Sequence, residues 1–170
     1  GGVLQLTNND NNVDSDIIMD VNSSLEVTGI TTLQAHTGSA AADTTLKVAK
    51  GATFTAGVVL DDNTGLSTLE LDTNTASTIA GTIQGAADGE GTLKVTGASK
   101  TFSGVIGGGS KKLLEVQADG GSSIFSETVN ATTVDVNGTA TFTGAVTSTT
   151  TTIDAATTFT ALLTSTTTTV

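Results

Sequence analysis

Apolar positions along the chain recur as two marks in phase. The first is a phenylalanine followed four residues later by an aliphatic side chain: Phe54 with Val58, Phe102 with Ile106, Phe125 with Val129, Phe142 with Val146 and Phe159 with Leu163. Ile79 with Ile83 fills the one gap, so successive copies fall 25, 23, 23, 17 and 17 residues apart. The second mark is an apolar-charged-apolar triplet upstream of each copy. These triplets are Leu46-Lys47-Val48, Leu69-Glu70-Leu71, Leu93-Lys94-Val95, Leu114-Glu115-Val116, Val134-Asp135-Val136 and a weaker Ile153-Asp154-Ala155. Leu25-Glu26-Val27 continues the triplets upstream, and Val3-Leu4-Gln5-Leu6 is a candidate for their start. A period near 20 residues marks stacked repeats, each a unit that cannot bury its apolar face alone.

Side chains alternate across a strand, so a triplet sends its apolar pair inward and its charge outward. The same alternation in Thr53-Phe54-Thr55 or Thr141-Phe142-Thr143 buries the ring and exposes both hydroxyls. The pattern therefore predicts an all-β chain, a parallel β-helix (β-solenoid) of about seven or eight coils with two or three short strands each, phenylalanine layered on phenylalanine. Coils of 17–25 residues follow from the spacings, and a spacing of about 4.8 Å per coil gives a rod of roughly 35–40 Å. Gly57, Gly81, Gly104 and Gly144, just past the phenylalanine position, mark corners, as do Gly107-Gly108-Gly109 and Gly120-Gly121. Corners are also where variation in coil length is expected, since loops absorb insertions at modest entropic cost.

The whole of 1–170 reads as one solenoid, either a segment of a longer chain or an assembling subunit, with shorter Thr-rich coils from about 133 to 170. There Thr141–Thr152 (TFTGAVTSTTTT) and Thr158–Thr169 (TFTALLTSTTTT) are near copies at an offset of 17. Coils this short fit a narrower solenoid or one strand of an intertwined trimeric fibre. Neither Val3-Leu4-Gln5-Leu6 nor Thr169-Val170 resembles a cap. The expectation is that the chain continues, or that its ends stack on neighbouring subunits.

Composition sharpens the class. With 37 Thr and 20 Gly, and no Pro, Cys, Trp, Tyr or Arg, strand and turn formers dominate. The in-phase apolar marks count against the disorder that such polar segments often show. No apolar run approaches the roughly 18 residues that cross a bilayer, so no transmembrane segment is expected. Lack of cysteine excludes disulfides and is compatible with an extracellular or cell-surface location. The formal charge of −11 is concentrated in residues 1–90, which hold 12 of the 17 acids and 2 of the 6 lysines. Nucleic acid is excluded as a partner, since phosphate binding needs basic patches, and anionic membranes are disfavoured.

Candidate chemistry is sparse. Asp10, Asn12, Asp14 and Asp16 alternate in NDNNVDSD and offer oxygen ligands suited to calcium, yet Ser15 stands where an EF-hand loop has its turn glycine and Val21 where it has its bidentate Glu. Asp61-Asp62-Asn63 reads as a plain turn. His36, the only histidine, reads as a surface-loop residue. No carboxylate pair stands out for glycoside hydrolysis, and the chain is not expected to be an enzyme. Asn22, Asn130 and Asn137 fall in glycosylation sequons of the kind chance supplies in an Asn/Thr-rich chain. Thr-x-Thr on successive coils is similar to the hydroxyl ladders of ice-binding solenoids. Spacings of 17–25 predict, however, that these threonines fall out of register and form an ordinary solvent face.

The stretch from Gly81 to Val146 resembles the β-strand repeats of large bacterial surface proteins, in GTLKV, KTFSG and ATTVDVNGTATFTG. It is similar to the passenger regions of alphaproteobacterial autotransporters and to surface-layer-like proteins. That resemblance implies a right-handed parallel β-helix displayed outside the cell, without an enzymatic motif. Its partners would be further copies of itself, end to end or side by side, or a host or neighbouring cell surface. LEVTGITTL at Leu25–Leu33 and VDVNGTATFTGAV at Val134–Val146 also resemble phage tail-fibre shafts, which implies a trimeric fibre for host attachment on a virion surface.

Overall fold

The computed structural model describes residues 3–8, 17–36, 42–72, 75–97 and 100–170. These form nineteen strands, paired in parallel throughout, with no helix among the described residues. Three-strand coils come first: β1 (Leu4–Thr7), β2 (Ile17–Val21) and β3 (Leu25–Val27), then β4 (Ile30–Gln34), β5 (Thr44–Val48) and β6 (Ala52–Phe54). β7 (Gly57–Asp61), β8 (Ser67–Leu71) and β9 (Ser77–Ile79) follow, then β10 (Thr82–Gly85), β11 (Thr92–Val95) and β12 (Lys100–Phe102). In the fifth coil a single bridging residue, Ile106, replaces the first strand ahead of β13 (Leu113–Ala118) and β14 (Ser123–Phe125). Two-strand coils complete the stack: β15 (Val129–Val136) with β16 (Ala140–Phe142), β17 (Val146–Ile153) with β18 (Thr157–Phe159), and β19 (Leu163–Thr169) laid on top. The chain is a parallel β-solenoid of seven coils and part of an eighth, as the spacing predicts.

Three sheets run along the axis. The first is β1-β4-β7-β10, the second β2-β5-β8-β11-β13-β15-β17-β19, and the third β3-β6-β9-β12-β14-β16-β18. On the inner side of the third sheet, Val27, Phe54, Ile79, Phe102, Phe125, Phe142 and Phe159 form one column. Rings 102, 125, 142 and 159 stack face to face with centroids 4.7, 4.7 and 5.0 Å apart and planes within 7° of parallel. Such pairs contribute about 0.5–1.5 kcal/mol each beyond the burial of their surface. Phe54, Phe102, Phe125 and Phe142 are fully buried, while Phe159, nearest the end of the stack, is partly buried.

The length changes are localised. Four residues separate the phenylalanine column from the first-sheet column in each coil, from Val27 to Thr31 through to Phe159 to Leu163. Eight to ten residues separate the second-sheet column (Met19, Leu46, Leu69, Leu93, Val116, Val134, Thr151) from the third-sheet column. The first-to-second-sheet corner, by contrast, shrinks from fifteen residues (Thr31 to Leu46) to ten (Ile106 to Val116) and then five (Val129 to Val134). Five residues leave no slack for a loop, so the two sheets merge into the single bent strands β15, β17 and β19.

Register corrects five points of the sequence reading. Leu25-Glu26-Val27 pairs with Ala52-Thr53-Phe54 and so opens the phenylalanine column; the triplet over Leu46-Lys47-Val48 is Met19-Asp20-Val21. Val116-Gln117-Ala118, two residues beyond the expected triplet, lies on Leu93-Lys94-Val95, and Thr151-Thr152-Ile153 lies on Val134-Asp135-Val136. Leu4 pairs with Thr31 in the first sheet and starts no triplet. The widest coils repeat at 27 residues, Val27 to Phe54, beyond the expected range. The two slipped triplets kept the same apolar-polar alternation along the chain, which hides a two-residue shift of register; Leu25–Val27 and Leu4 instead lie in other sheets.

Corners stack backbone on backbone. A Cβ on Gly120 would overlap the carbonyl of Gly97, and one on Gly138 the carbonyl of Gly120. Glycine is required there by close approach alone. Asp62 fastens another corner: its carboxylate accepts bonds from the Ser67 amide (2.8 Å), the Ser67 hydroxyl (2.7 Å) and, one coil on, the Gly91 amide (2.8 Å).

Candidate functional site

An all-β rod interacts through its outer faces, and two of these differ sharply. On the second sheet, Asp20, Lys47, Glu70, Lys94, Gln117 and Asp135 form one outward column. The Lys47 ammonium lies 3.2 Å from Glu70 and 2.7 Å from Asp72, bridging adjacent coils. Bonding to Asp72 and then to Glu70 raises the Lys47 pKa, and the same ammonium holds Asp72 below the usual aspartate value. Further along, burial and the nearby carboxylates of Asp135 and Asp119 push Glu115 upward. This face is a set of partly compensated charges.

The third sheet carries one outward charge, Glu26 on its first strand. From there its central outward column reads Thr53, Thr78, Thr101, Ile124, Thr141 and Thr158, in register from strand to strand. A second row two residues on reads Thr55, Ala80, Ser103, Ser126, Thr143 and Thr160. The expectation that unequal coils would throw the threonines out of register is thereby overturned. The unequal lengths fall in a corner away from this sheet, so coil length and ladder register are independent.

Where the first sheet ends, the wide corner at 107–112 overhangs the narrower coils and leaves a polar groove of about 330 Å³. Asp88, Lys112, Asn130, Thr147 and Thr149 line it, with the Lys112 ammonium 3.1 Å from the Asp88 carboxylate. The Asn130 amide is committed to the Gly107 carbonyl at 2.7 Å.

The proposed calcium ligands Asp10, Asn12, Asp14 and Asp16 lie outside the described residues. Among the described residues no three His, Cys, Asp or Glu side chains converge as a metal site. Of Asp61-Asp62-Asn63, read as a plain turn, Asp61 closes β7 and the turn follows at Asn63, φ 45°, with Asp62 as its fastener. His36 departs from expectation. It is fully buried rather than on a surface loop, because Thr64 of the next coil folds over it and bonds its carbonyl through both amide (3.1 Å) and hydroxyl (2.6 Å). Its ring nitrogens have no hydrogen-bond partner among the described residues.

Sequence reasoning passed over Lys100, which takes the inward position held by Ser77 and Ser123 in adjacent coils. It is fully buried, its ammonium donates to the Thr75 carbonyl at 3.1 Å, and burial lowers its pKa against a smaller opposing pull from Asp72. Strict alternation from Phe102 would have placed it inside. Among the described residues no helix is long and apolar enough to cross a membrane. Comparison with family models, with curated proteins and with solved structures finds no match for this chain.

Proposed function

We propose that this chain is a non-enzymatic extracellular structural element, a rod, filament or surface-layer unit with an adhesive role. The observation that carries the reading is the unbroken register of the phenylalanine column through seven coils while one corner absorbs the changes in coil length. Each coil thus adds length and core together, which suits reach and repetition. The likeness of Gly81–Val146 to bacterial surface repeats supports display outside the cell. Self-association, end to end or side by side, and contact with a host or neighbouring cell surface belong to the same reading. Calcium, held near Asp10–Asp16, would steady the wide end.

Small-angle scattering combined with light scattering tests this directly. The expected particle is a rod with one chain per cross-section, about 35 Å of length per chain at the strand spacing of a sheet. Three chains per cross-section, resistant to detergent, would replace this reading with the trimeric viral fibre shaft. A compact isometric particle would refute both. If chelation of calcium leaves melting and assembly unchanged, the metal is no part of the function.

A further inference from the structure

We propose that the outer face of the third sheet binds the ordered water of an ice surface. This goes beyond the rod reading and does not depend on how rods associate. Thr53, Thr78, Thr101, Thr141 and Thr158 occupy one register position, each presenting a hydroxyl and a methyl group. Parallel strands set successive threonines of the column about 4.8 Å apart, and the second row follows just past the end of each three-residue strand. The result is a ladder of hydroxyls and methyls at one register position, fixed by the backbone bonds between the strands; in the row beside it Ala80 carries no hydroxyl and the Thr160 hydroxyl is bonded to the Phe142 and Thr143 carbonyls.

Three further observations select the occupant. Among the described residues, none of those five hydroxyls is engaged in a hydrogen bond, whereas Thr44, Thr64 and Thr96 elsewhere donate theirs to Gln34, His36 and Asp72. From Thr53 to Thr160 neither outward row contains a charge, although the chain carries a net −11. Charged groups orient water around themselves and would break a lattice imposed on it; the one charge of this column, Glu26, stands on the strand before Thr53 and bounds the uncharged stretch. Lastly, a rigid periodic array complements a periodic ligand. A protein loop or a single sugar would engage a few neighbouring groups and gain nothing from exact repetition over six strands, while crystalline water gains at every row. Ile124, 40% exposed, interrupts the column and divides it into two shorter ladders.

The test is freezing-point hysteresis and ice-crystal shaping by the full chain, with circular-dichroism melts to confirm folding of each variant. The chain is expected to hold ice growth below the melting point and to facet crystals. Thr101→Lys and Thr141→Lys should abolish both effects, and Ile124→Thr, which completes the column, should widen the hysteresis gap. Thr68→Lys, on the charged second sheet, should leave it unchanged. If a lysine variant fails to fold, Thr101→Tyr gives the same reading without a charge. Absence of hysteresis and shaping in the parent chain overturns the proposal. So does activity that survives substitution on the third sheet.

Discussion

The wide coils between Leu4 and Phe125 and the thin coils after Val129 solve one packing problem with different means. In the wide part, three inward-facing columns meet and aliphatic side chains such as Leu33, Leu60, Leu69 and Ile83 fill the centre. Both parts bury hydroxyls, but in the thin part, where the first and second sheets fuse, two of them pair side by side: Ser148 and Thr151 bond each other at 2.6 Å. What persists across the change is the phenylalanine column. The cross-section is therefore negotiable, and the inner wall of the third sheet is the invariant against which each coil is built.

The strongest way to break this comparison is to remove a ring on each side of the change. Phe142→Ala, which empties a place between two stacked rings, should destabilise by about 3–5 kcal/mol through the lost burial and cavity, with about 0.5–1.5 kcal/mol more for each lost ring pair. Phe54→Ala, whose column neighbours are Val27 and Ile79, should lose the first contribution only. Urea denaturation of both variants measures the difference, and equal losses would mean that ring stacking contributes nothing.

Next in size is the corner between the second and third sheets, where Gly120 of the last wide coil stacks against Gly138 of the first thin one. Gly120→Ala should cost roughly 1–3 kcal/mol, because the added carbon meets fixed backbone. Gly121→Ala, with open space around it, should change the melting temperature little. A similar loss at both sites would indicate that the corner backbones are not in close stack.

The hydroxyl pair of the thin coils gives an effect of like size with an instructive sign. Ser148→Ala alone should cost about 1–3 kcal/mol by leaving the buried Thr151 hydroxyl unpaired, whereas Ser148→Ala with Thr151→Val should recover most of it. Failure of the second substitution to rescue the first would mean that the hydroxyls serve something other than each other.

The smallest effects come from charge. Asp72 has a lowered pKa in the folded state, so its contribution is present above the ordinary aspartate range and is lost as pH falls through the depressed value. Glu115 is shifted the other way, so its ionisation weakens the fold at neutral pH, and stability is recovered as pH falls from above its raised value toward the ordinary glutamate range. Melting temperature should thus rise slightly on mild acidification and fall on stronger acidification. Glu115→Gln should remove the rise and Asp72→Asn should blunt the fall, each by less than about 1 kcal/mol, since solvent screens both groups.

The phenylalanine series made the fold legible because it has a single inward register and a side chain large enough to recognise in each coil. Its spacing gave the coil count and the narrowing after residue 133. The triplets were less legible: Leu114-Glu115-Val116 and Val116-Gln117-Ala118 alternate equally well, and only strand pairing distinguishes them. Burial of His36 and Lys100 was hidden for a related reason, since what covers them comes from the neighbouring coil, some 23–28 residues away along the chain. The hydroxyl ladder was seen and then set aside, because spacing measured along the chain gives the length of a coil but not the corner at which it changes.

The stepped narrowing has a mechanical consequence. Under tension every coil of a rod carries the same load, but resistance to bending rises steeply with the width of the cross-section. The three-sided coils therefore behave as the stiffer part of a beam and the two-sided coils beyond Val129 as its more compliant part. A lateral push is taken up mainly in the two-sided coils, while the third sheet, continuous through both parts, keeps its outer surface along one side of the beam.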